Sequence, residues 1–180
     1  MDINQDEVKE VNKLGTLNGD EVKLVSLKGG LHIGIGKKSE NSLKNTILAV
    51  GSHPALVSYQ ISKKFDNKFE QTLNKNENNN GTTSEVIDYS DKLNSTERNV
   101  LSLNIYAIKD NDVVDFKITK HNFEVFSVEA TKEENVLFLN KISKNEEGLN
   151  KVNKTELSKN LEKAIKEYAK SKNLKVKKNF

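Results

Sequence analysis

Apolar residues recur at every second position through most of residues 99–142, and short polar turns divide this stretch. The first run holds Leu101, Leu103, Ile105 and Ala107. After Asp110-Asn111-Asp112, the second run holds Val114, Phe116 and Ile118. A period of two places one face of a strand in a core, and connections this short join antiparallel neighbours. The segment therefore predicts a four-strand antiparallel meander, whose later strands cover 123–130 and 136–142.

The hydrophobic period then changes to that of a helix. A stripe with spacing near 3.6 residues predicts a C-terminal helix that covers a sheet or a partner; it consists of Leu157, Leu161, Ala164, Ile165 and Tyr168. Asn153 with Glu156, or Thr155 with Ser158, can cap its start. The last residues, 174–180, alternate lysine with apolar residues and predict a short basic edge strand.

The N-terminal part predicts an arm, a hairpin and two helices. Residues 1–19 are polar and predict an arm outside the core. Alternating apolar residues on both sides of Gly29-Gly30 predict a β-hairpin. Leu43, Ile47 and Val50 share one helical face, and Pro54 suits the first turn of a second helix that runs to residue 65. Residues 20–65 are thus expected to be a hairpin plus two short helices.

Residues 66–98 are weakly patterned and rich in asparagine. Their centre, 74–84, has too few apolar residues to join a core, so this segment is expected to be an exposed loop or linker. The β-meander and the C-terminal basic helix then form 99–180. The predicted class is α+β, an antiparallel β-sheet packed with two short central helices and a C-terminal helix. Residues 20–180 are expected to form one domain with a long loop.

The glycine-rich segment 29–39 invites comparison with a phosphate-binding loop. It follows a strand, but position 31 is leucine where a Walker loop needs glycine, and position 39 is serine where a dinucleotide loop needs glycine. The alternation of Leu31, Ile33 and Ile35 favours a strand. Gly34 and Gly36 then indicate a bulge or a close approach by another backbone, and no cofactor is expected.

Other chemical motifs are equally incomplete. The chain has no cysteine, which excludes disulfides, thiolate metal sites and a cysteine nucleophile. His32, His53 and His121 lie far apart and lack metal-ligand spacing. Asp110, Asp112 and Asp115 resemble part of a calcium loop, but its glycine and final glutamate are missing. An enzyme would need His32 or His53 to meet carboxylates with displaced pKa values.

Two features permit contact with nucleic acid. Residues 40–65 have the layout of a helix-turn-helix, in which Ser58, Gln60, Ser62, Lys63 and Lys64 would face DNA, although two helices packed on a sheet give the same pattern. The last thirty residues, 151–180, hold ten lysines and three glutamates, a net charge of +7 within a chain of net +3. A basic segment on an acidic body suits a polyanion or an acidic protein surface. The candidate contact residues are Lys166, Lys170, Lys172, Lys175, Lys177 and Lys178.

The composition weakens the argument that these lysines form a nucleic-acid-binding site. The chain has 28 lysines, one arginine and 24 asparagines, a bias typical of an AT-rich genome, whereas evolved phosphate and base contacts favour arginine. The sequence therefore predicts a non-enzymatic structural or interaction protein that binds other protein subunits, such as a bacteriophage virion component. The alternative is a small nucleic-acid-binding protein that uses the basic C-terminal segment, and the third is a small enzyme. No secretory signal or membrane span is expected, which places the chain in the cytoplasm or within an assembled virion.

Overall fold

The computed structural model describes residues 3–72, 84–150 and 152–180. It confirms an α+β fold with antiparallel β-sheets and helices. The chain divides into two compact units, residues 1–83 and 84–180, and each has its own hydrophobic core. This division does not coincide with the boundaries predicted at residues 19, 65 and 98. That residues 20–180 fold as one domain stays a prediction.

In residues 3–72, the described part of the first unit, the chain forms a five-stranded sheet and one helix. In chain order its regular elements are strands β1 (Val8–Leu17), β2 (Asp20–Leu27), β3 (His32–Gly36) and β4 (Thr46–Gly51), helix α1 (Pro54–Phe65) and strand β5 (Phe69–Gln71). A short 3-10 turn at Gln5–Glu7 precedes β1, and another at Asp66–Lys68 joins α1 to β5. The strands are ordered β4-β3-β2-β1-β5 and all pairs are antiparallel. The hairpin predicted around Gly29-Gly30 is confirmed as β2 and β3.

The predicted N-terminal arm is wrong over most of its length, because Val8–Leu17 form strand β1. Its partner is β2, and Asn18-Gly19 make the connecting turn, both with positive φ. Register shifts occur after Val8 and after Lys13. Each shift displaces the side chains that follow to the other face, so the buried residues Leu14 and Leu17 do not alternate with the earlier ones.

The first of the two predicted central helices is also wrong. Residues 46–51 form strand β4 at the edge of the sheet, paired with β3. The predicted helical face fails, since Leu43 is 94% exposed and lies outside any helix. The β-branched residues Thr46, Ile47 and Val50 suit the extended chain better than a helix. The second predicted helix is confirmed as α1, with Pro54 in its first turn.

Helix α1 packs closely on the glycine-containing strand β3. A Cβ atom at Gly34 would come 2.8 Å from Ile61 Cδ1 and 2.9 Å from Val57 Cγ1. The register between β3 and β4 also shifts between Gly34 and Ile35. The glycine-rich segment therefore contains strand β3, as its alternation predicted, with a register shift at Gly34 and the side chains of α1 packed against that glycine.

The second unit is a six-stranded sheet with two helices. Its regular elements are strand β6 (Glu85–Asp88), helix α2 (Ser95–Asn99), strands β7 (Leu103–Asp110), β8 (Val113–Lys120), β9 (Phe123–Glu133) and β10 (Val136–Lys144), helix α3 (Lys154–Ser171) and strand β11 (Lys175–Lys178). The order is β11-β10-β9-β8-β7-β6. Strands β7 to β10 confirm the predicted four-strand meander. The predicted hairpin and meander thus belong to two sheets.

The predicted linker 66–98 contains regular structure at both ends. Strand β5 lies at its start, and β6, a 3-10 turn at Ser90–Lys92 and most of α2 lie at its end. Helix α2 begins with a capping box, in which Asn94 and Glu97 each accept a hydrogen bond from the other's backbone N–H. The expectation of an irregular asparagine-rich loop falls largely on residues 73–83, which lie outside the described residues.

Helix α3 covers one face of the second sheet. Asn153 Oδ1 accepts a hydrogen bond from the Glu156 N–H at 3.1 Å, which confirms the predicted cap. The whole predicted stripe is buried in the core. The Tyr168 ring meets Phe116 of β8 edge to face, with 5.5 Å between the ring centroids. Strand β11 then returns parallel to β10 at the edge of the sheet, which confirms the predicted basic edge strand.

Candidate functional site

The six candidate lysines lie in two places. Lys166 and Lys170 are exposed on α3, and Lys172 follows the end of that helix. Lys175, Lys177 and Lys178 are exposed on strand β11. We call the outer side of Lys175–Lys178 the basic edge. The structure therefore gathers three of the six lysines on one strand.

Two of the other lysines already contact carboxylates. Lys166 Nζ lies 3.2 Å from Glu162 on the same helix. Lys172 Nζ lies 3.6 Å from Glu85 of β6 and 5.9 Å from the centre of the Tyr168 ring. Exposed pairs of this kind contribute about 0–1 kcal/mol, but they partly neutralise the helix lysines. In the described part of the chain, the three lysines of the basic edge have no ion pair.

The backbone of β11 has an open side. Lys175 N–H donates to Asn135 O, and Asn179 N–H donates to Leu139 O, both at 2.8 Å. Since backbone groups point alternately to the two sides of a strand, Lys175, Lys177 and Asn179 face β10. Val176 and Lys178 therefore direct their N–H and C=O groups outward. Among the described residues β11 pairs with β10 alone.

The side chains of this edge combine charge with apolar surface. Lys175 and Lys177 lie on one face of the sheet, and Val176 and Lys178 lie on the other. Val176 is 38% exposed and Phe180, two residues beyond β11, is 59% exposed. An added strand would meet main-chain hydrogen-bonding groups, lysine charge and two apolar side chains.

Two buried tyrosines, Tyr89 and Tyr168, lie near the C-terminal end of α3 and its carboxylate neighbours. Burial, followed by the nearby carboxylates of Glu167 and Glu85, raises the pKa of Tyr89 to about 12. Burial and Glu85 also raise the pKa of Tyr168. Lys92 donates to Glu167 at 2.7 Å, and this hydrogen bond raises the pKa of the Lys92 ammonium. The Lys92–Glu167 contact joins α3 to the turn before α2.

His53 and His32 each contact a nearby polar group, and His121 lies in a turn. His53 Nδ1 accepts a hydrogen bond from Ala55 N–H at 2.9 Å and so caps helix α1. His32 Nδ1 lies 2.8 Å from Ser26 Oγ on the neighbouring strand, and His32 is opposite Gly51 of β4. The structure therefore brings His32 near the Ser52-His53 segment, which the sequence did not predict. Displaced carboxyl pKa values occur at Asp115 and Glu146, both in the second unit. His121 lies in the β8–β9 turn, with positive φ.

The structure contradicts the helix-turn-helix hypothesis for residues 40–65. Its first helix is strand β4. Ser58, expected to face DNA, is buried, and Gln60 Nε2 donates to Val50 O at 2.9 Å. The Asp110–Asp112 segment is the predicted β7–β8 turn.

Within residues 3–72, 84–150 and 152–180, no group of three or more potential metal ligands comes together. In the same residues, no helix is long and apolar enough to cross a membrane.

Comparison with protein-family models, curated proteins and solved structures gives no match for this chain.

Proposed function

We propose that this chain is a non-enzymatic structural or interaction protein that binds other protein subunits through the basic edge. The open side of β11 carries this proposal. An edge strand with unpaired N–H and C=O groups is a template for another strand, and strand addition is a common mode of protein recognition. The exposed Val176 and Phe180 add apolar contacts that a protein partner can cover.

The expected strength of such a contact suits an assembly. Each backbone hydrogen bond contributes about 0.5–1.5 kcal/mol net, and the basic edge presents the backbone groups of only two residues outward. A single contact is therefore weak. Repetition in a multivalent particle raises the overall affinity through the high effective concentration of neighbouring sites.

The specific assembly we propose is a bacteriophage virion, in which the chain is a capsid, connector or packaged protein. The support is compositional: 28 lysines, one arginine and 24 asparagines are typical of an AT-rich genome. The chain would then be found in the cytoplasm during assembly and in the finished virion.

The mass of the full chain in solution tests the proposed function. Light scattering after size exclusion is expected to show a fixed oligomer or a particle, against a chain mass of 20.3 kDa. Removal of residues 175–180 should reduce this assembly, while circular dichroism shows the sheet and helices retained. A full chain that stays monomeric up to about 0.1 mM, a concentration at which contacts of about 5.5 kcal/mol half saturate, would contradict the proposal.

Nucleic-acid binding is the second candidate, and the lysine charge of the basic edge favours it. If Lys170 and the three β11 lysines each neutralise one phosphate, the logarithm of the affinity for duplex DNA should fall against the logarithm of salt with a slope near −3.6, at about 0.9 per contact. We expect weak binding at 150 mM salt, because lysine lacks arginine's planar fork. Submicromolar affinity at that salt, lost on removal of 171–180, would favour this second function instead.

A further inference from the structure

The exposed face of helix α3 carries a row of four lysines. At about 100° of rotation per residue, Lys159, Lys163, Lys166 and Lys170 lie within about 60° of the helix circumference. All four are exposed, and the apolar stripe that packs on the sheet lies on the opposite side of the helix. We call the row formed by Lys159, Lys163, Lys166 and Lys170 the lysine stripe.

The lysine-rich composition of the chain does not explain where these lysines lie. Helix α3 contains five lysines and three glutamates. Four of the five lysines fall within the lysine stripe, whereas Glu156, Glu162 and Glu167 lie outside it, along its two borders. A bias in amino-acid usage raises the number of lysines, but it does not sort charges by sign around a helix. The stripe is therefore a surface of one charge sign along its whole length.

Most of this charge is available to a partner. Among the described residues, Lys159, Lys163 and Lys170 form no ion pair. Lys166 Nζ lies 3.2 Å from Glu162, but both side chains are more than half exposed. Water and salt screen an exposed pair of this kind, so a polyanion can replace the glutamate.

The chemistry of the lysine stripe favours a nucleic acid over a protein. The centre of a protein interface is depleted of charged residues, and lysine is depleted across the interface as a whole. No apolar residue of α3 is exposed. A helix also satisfies its backbone groups internally, so this surface, unlike the basic edge, cannot pair with a strand. A phosphate backbone, in contrast, is bound by positive charge alone.

The same surface favours a duplex over a single strand. Proteins that bind single strands stack the bases on aromatic side chains, and the one aromatic residue of α3, Tyr168, is buried against Phe116. Lysine is a point charge on a flexible stem, which suits phosphates without reading bases. At a rise of 1.5 Å per residue the stripe spans about 16.5 Å, the length of about five base pairs.

We propose that the lysine stripe binds the phosphate backbone of duplex nucleic acid without sequence preference. This inference goes beyond the proposed function, because it assigns a second surface to a different partner. It also differs from the second candidate function, in which strand β11 supplies most of the contacts. A chain with both surfaces would join protein subunits to nucleic acid.

The full-length variant Lys159→Gln/Lys163→Gln/Lys170→Gln tests the lysine stripe. Fluorescence anisotropy measures binding to a labelled DNA duplex of about 12 base pairs, about 41 Å long, which is short enough for binding by single chains to dominate. Four phosphate contacts predict an affinity that falls about 150-fold between 50 and 200 mM salt, at about 0.9 per contact. The one lysine left in the variant predicts a fall of about 3.5-fold.

Glutamine replaces lysine here because the two residues have similar helix propensities. Circular dichroism and thermal unfolding check that α3 is retained in the variant. If the triple variant does not fold, Lys163→Gln alone replaces it, with an expected decrease of about 0.9 in the magnitude of the salt slope.

The matched control, Lys175→Gln/Lys177→Gln/Lys178→Gln, removes the same charge from the basic edge. Its salt slope should stay within about 0.9 of the slope of the unaltered chain. If this control loses the salt dependence while the stripe variant keeps it, nucleic acid binds at the basic edge and the proposal is overturned. A second duplex of unrelated sequence should bind equally, and a tenfold preference between the two would also overturn it.

Poly-glutamate distinguishes a nucleic acid from an acidic protein. At equal concentration of charge it should displace the labelled duplex less well than unlabelled duplex does, because duplex DNA has one charge per about 1.7 Å and an extended chain one per about 3.3 Å. Equal or better displacement would assign the stripe to an acidic protein. Absence of duplex binding at 50 mM salt would also overturn the proposal. These results leave assembly through the basic edge untouched, and a monomeric chain leaves the lysine stripe untouched.

Discussion

Gly34 shows how one residue controls the packing of the first unit. The ends of Val57 and Ile61 occupy the space that a side chain at this position would need. The sequence indicated a close approach at this glycine but not its partner. The neighbour is a helix that begins twenty residues after it, and only the fold brings the two together.

We therefore expect Gly34→Ala to lower the free energy of unfolding by about 1–3 kcal/mol, the usual cost of an overpacked core. Gly29→Ala is the matched control, because nothing lies within 4 Å of an added Cβ atom there. Urea denaturation of both variants measures the difference. Equal free energies of unfolding for the two variants would show that α1 moves to make room for the added methyl group without loss of stability.

Asp115 gives a second prediction for a single residue. Partial burial raises the pKa of its carboxyl; Lys117 opposes this rise, and Glu129, directly across on β9, adds to it. A folded pKa above the unfolded value, about 3.9, means that the stability from this group is present below the unfolded pKa and is lost as pH rises through the folded pKa.

Asp115→Asn removes this titration. The stability of the variant relative to the unaltered chain should therefore rise as pH increases from 3 to 7, with the change beginning near the unfolded pKa. Unfolding by urea at a series of pH values measures it. A relative stability that falls over this range would contradict the sign of the shift.

At the scale of elements, β1 and β4 show why some strands were missed. Bulges in β1 and in the β3–β4 pair interrupt the period of two on which a strand prediction depends. Asn18-Gly19 is a strong hairpin signal directly before the confirmed strand β2. It could therefore have been used to predict β1 as the preceding strand of the hairpin. The meander and helix α3 were predicted from their hydrophobic period and caps, although the β8–β9 and β9–β10 pairs also contain register shifts.

Helix α3 allows a test of one such cap. Asn153→Ala should cost about 1 kcal/mol, because the first turn loses a side-chain acceptor for its N–H groups. Asn153→Asp keeps an acceptor and serves as the control. Thermal or urea unfolding gives the comparison, and a full-sized loss in the aspartate variant would mean that the cap is not what stabilises this turn.

At the scale of the whole molecule, each unit has its own sheet and its own core. Residues 84–180 keep all strands of the second sheet and helix α3 without help from β1 to β5. A separate core is the physical basis of independent folding.

We expect residues 84–180, produced alone, to fold with one cooperative thermal transition. Circular dichroism and dispersed amide resonances in NMR measure this, with the full chain as reference. An unfolded or molten fragment would instead support the single domain predicted for 20–180. Since this fragment carries the basic edge, it should also keep the assembly of the full chain.

The sequence by itself determined the elements whose signals are local: the meander from its period of two, helices α1 and α3 from Pro54, Asn153 and the apolar stripe, and β11 from its alternating lysines. The tertiary structure alone decided that the strands form two sheets, that residues 46–51 are extended, and that β4, β5 and β6 are edge strands. It also separated the lysines that face carboxylates from those on an open strand. These outcomes depend on pairing between residues far apart in the chain, and no local pattern records which strand lies next to which.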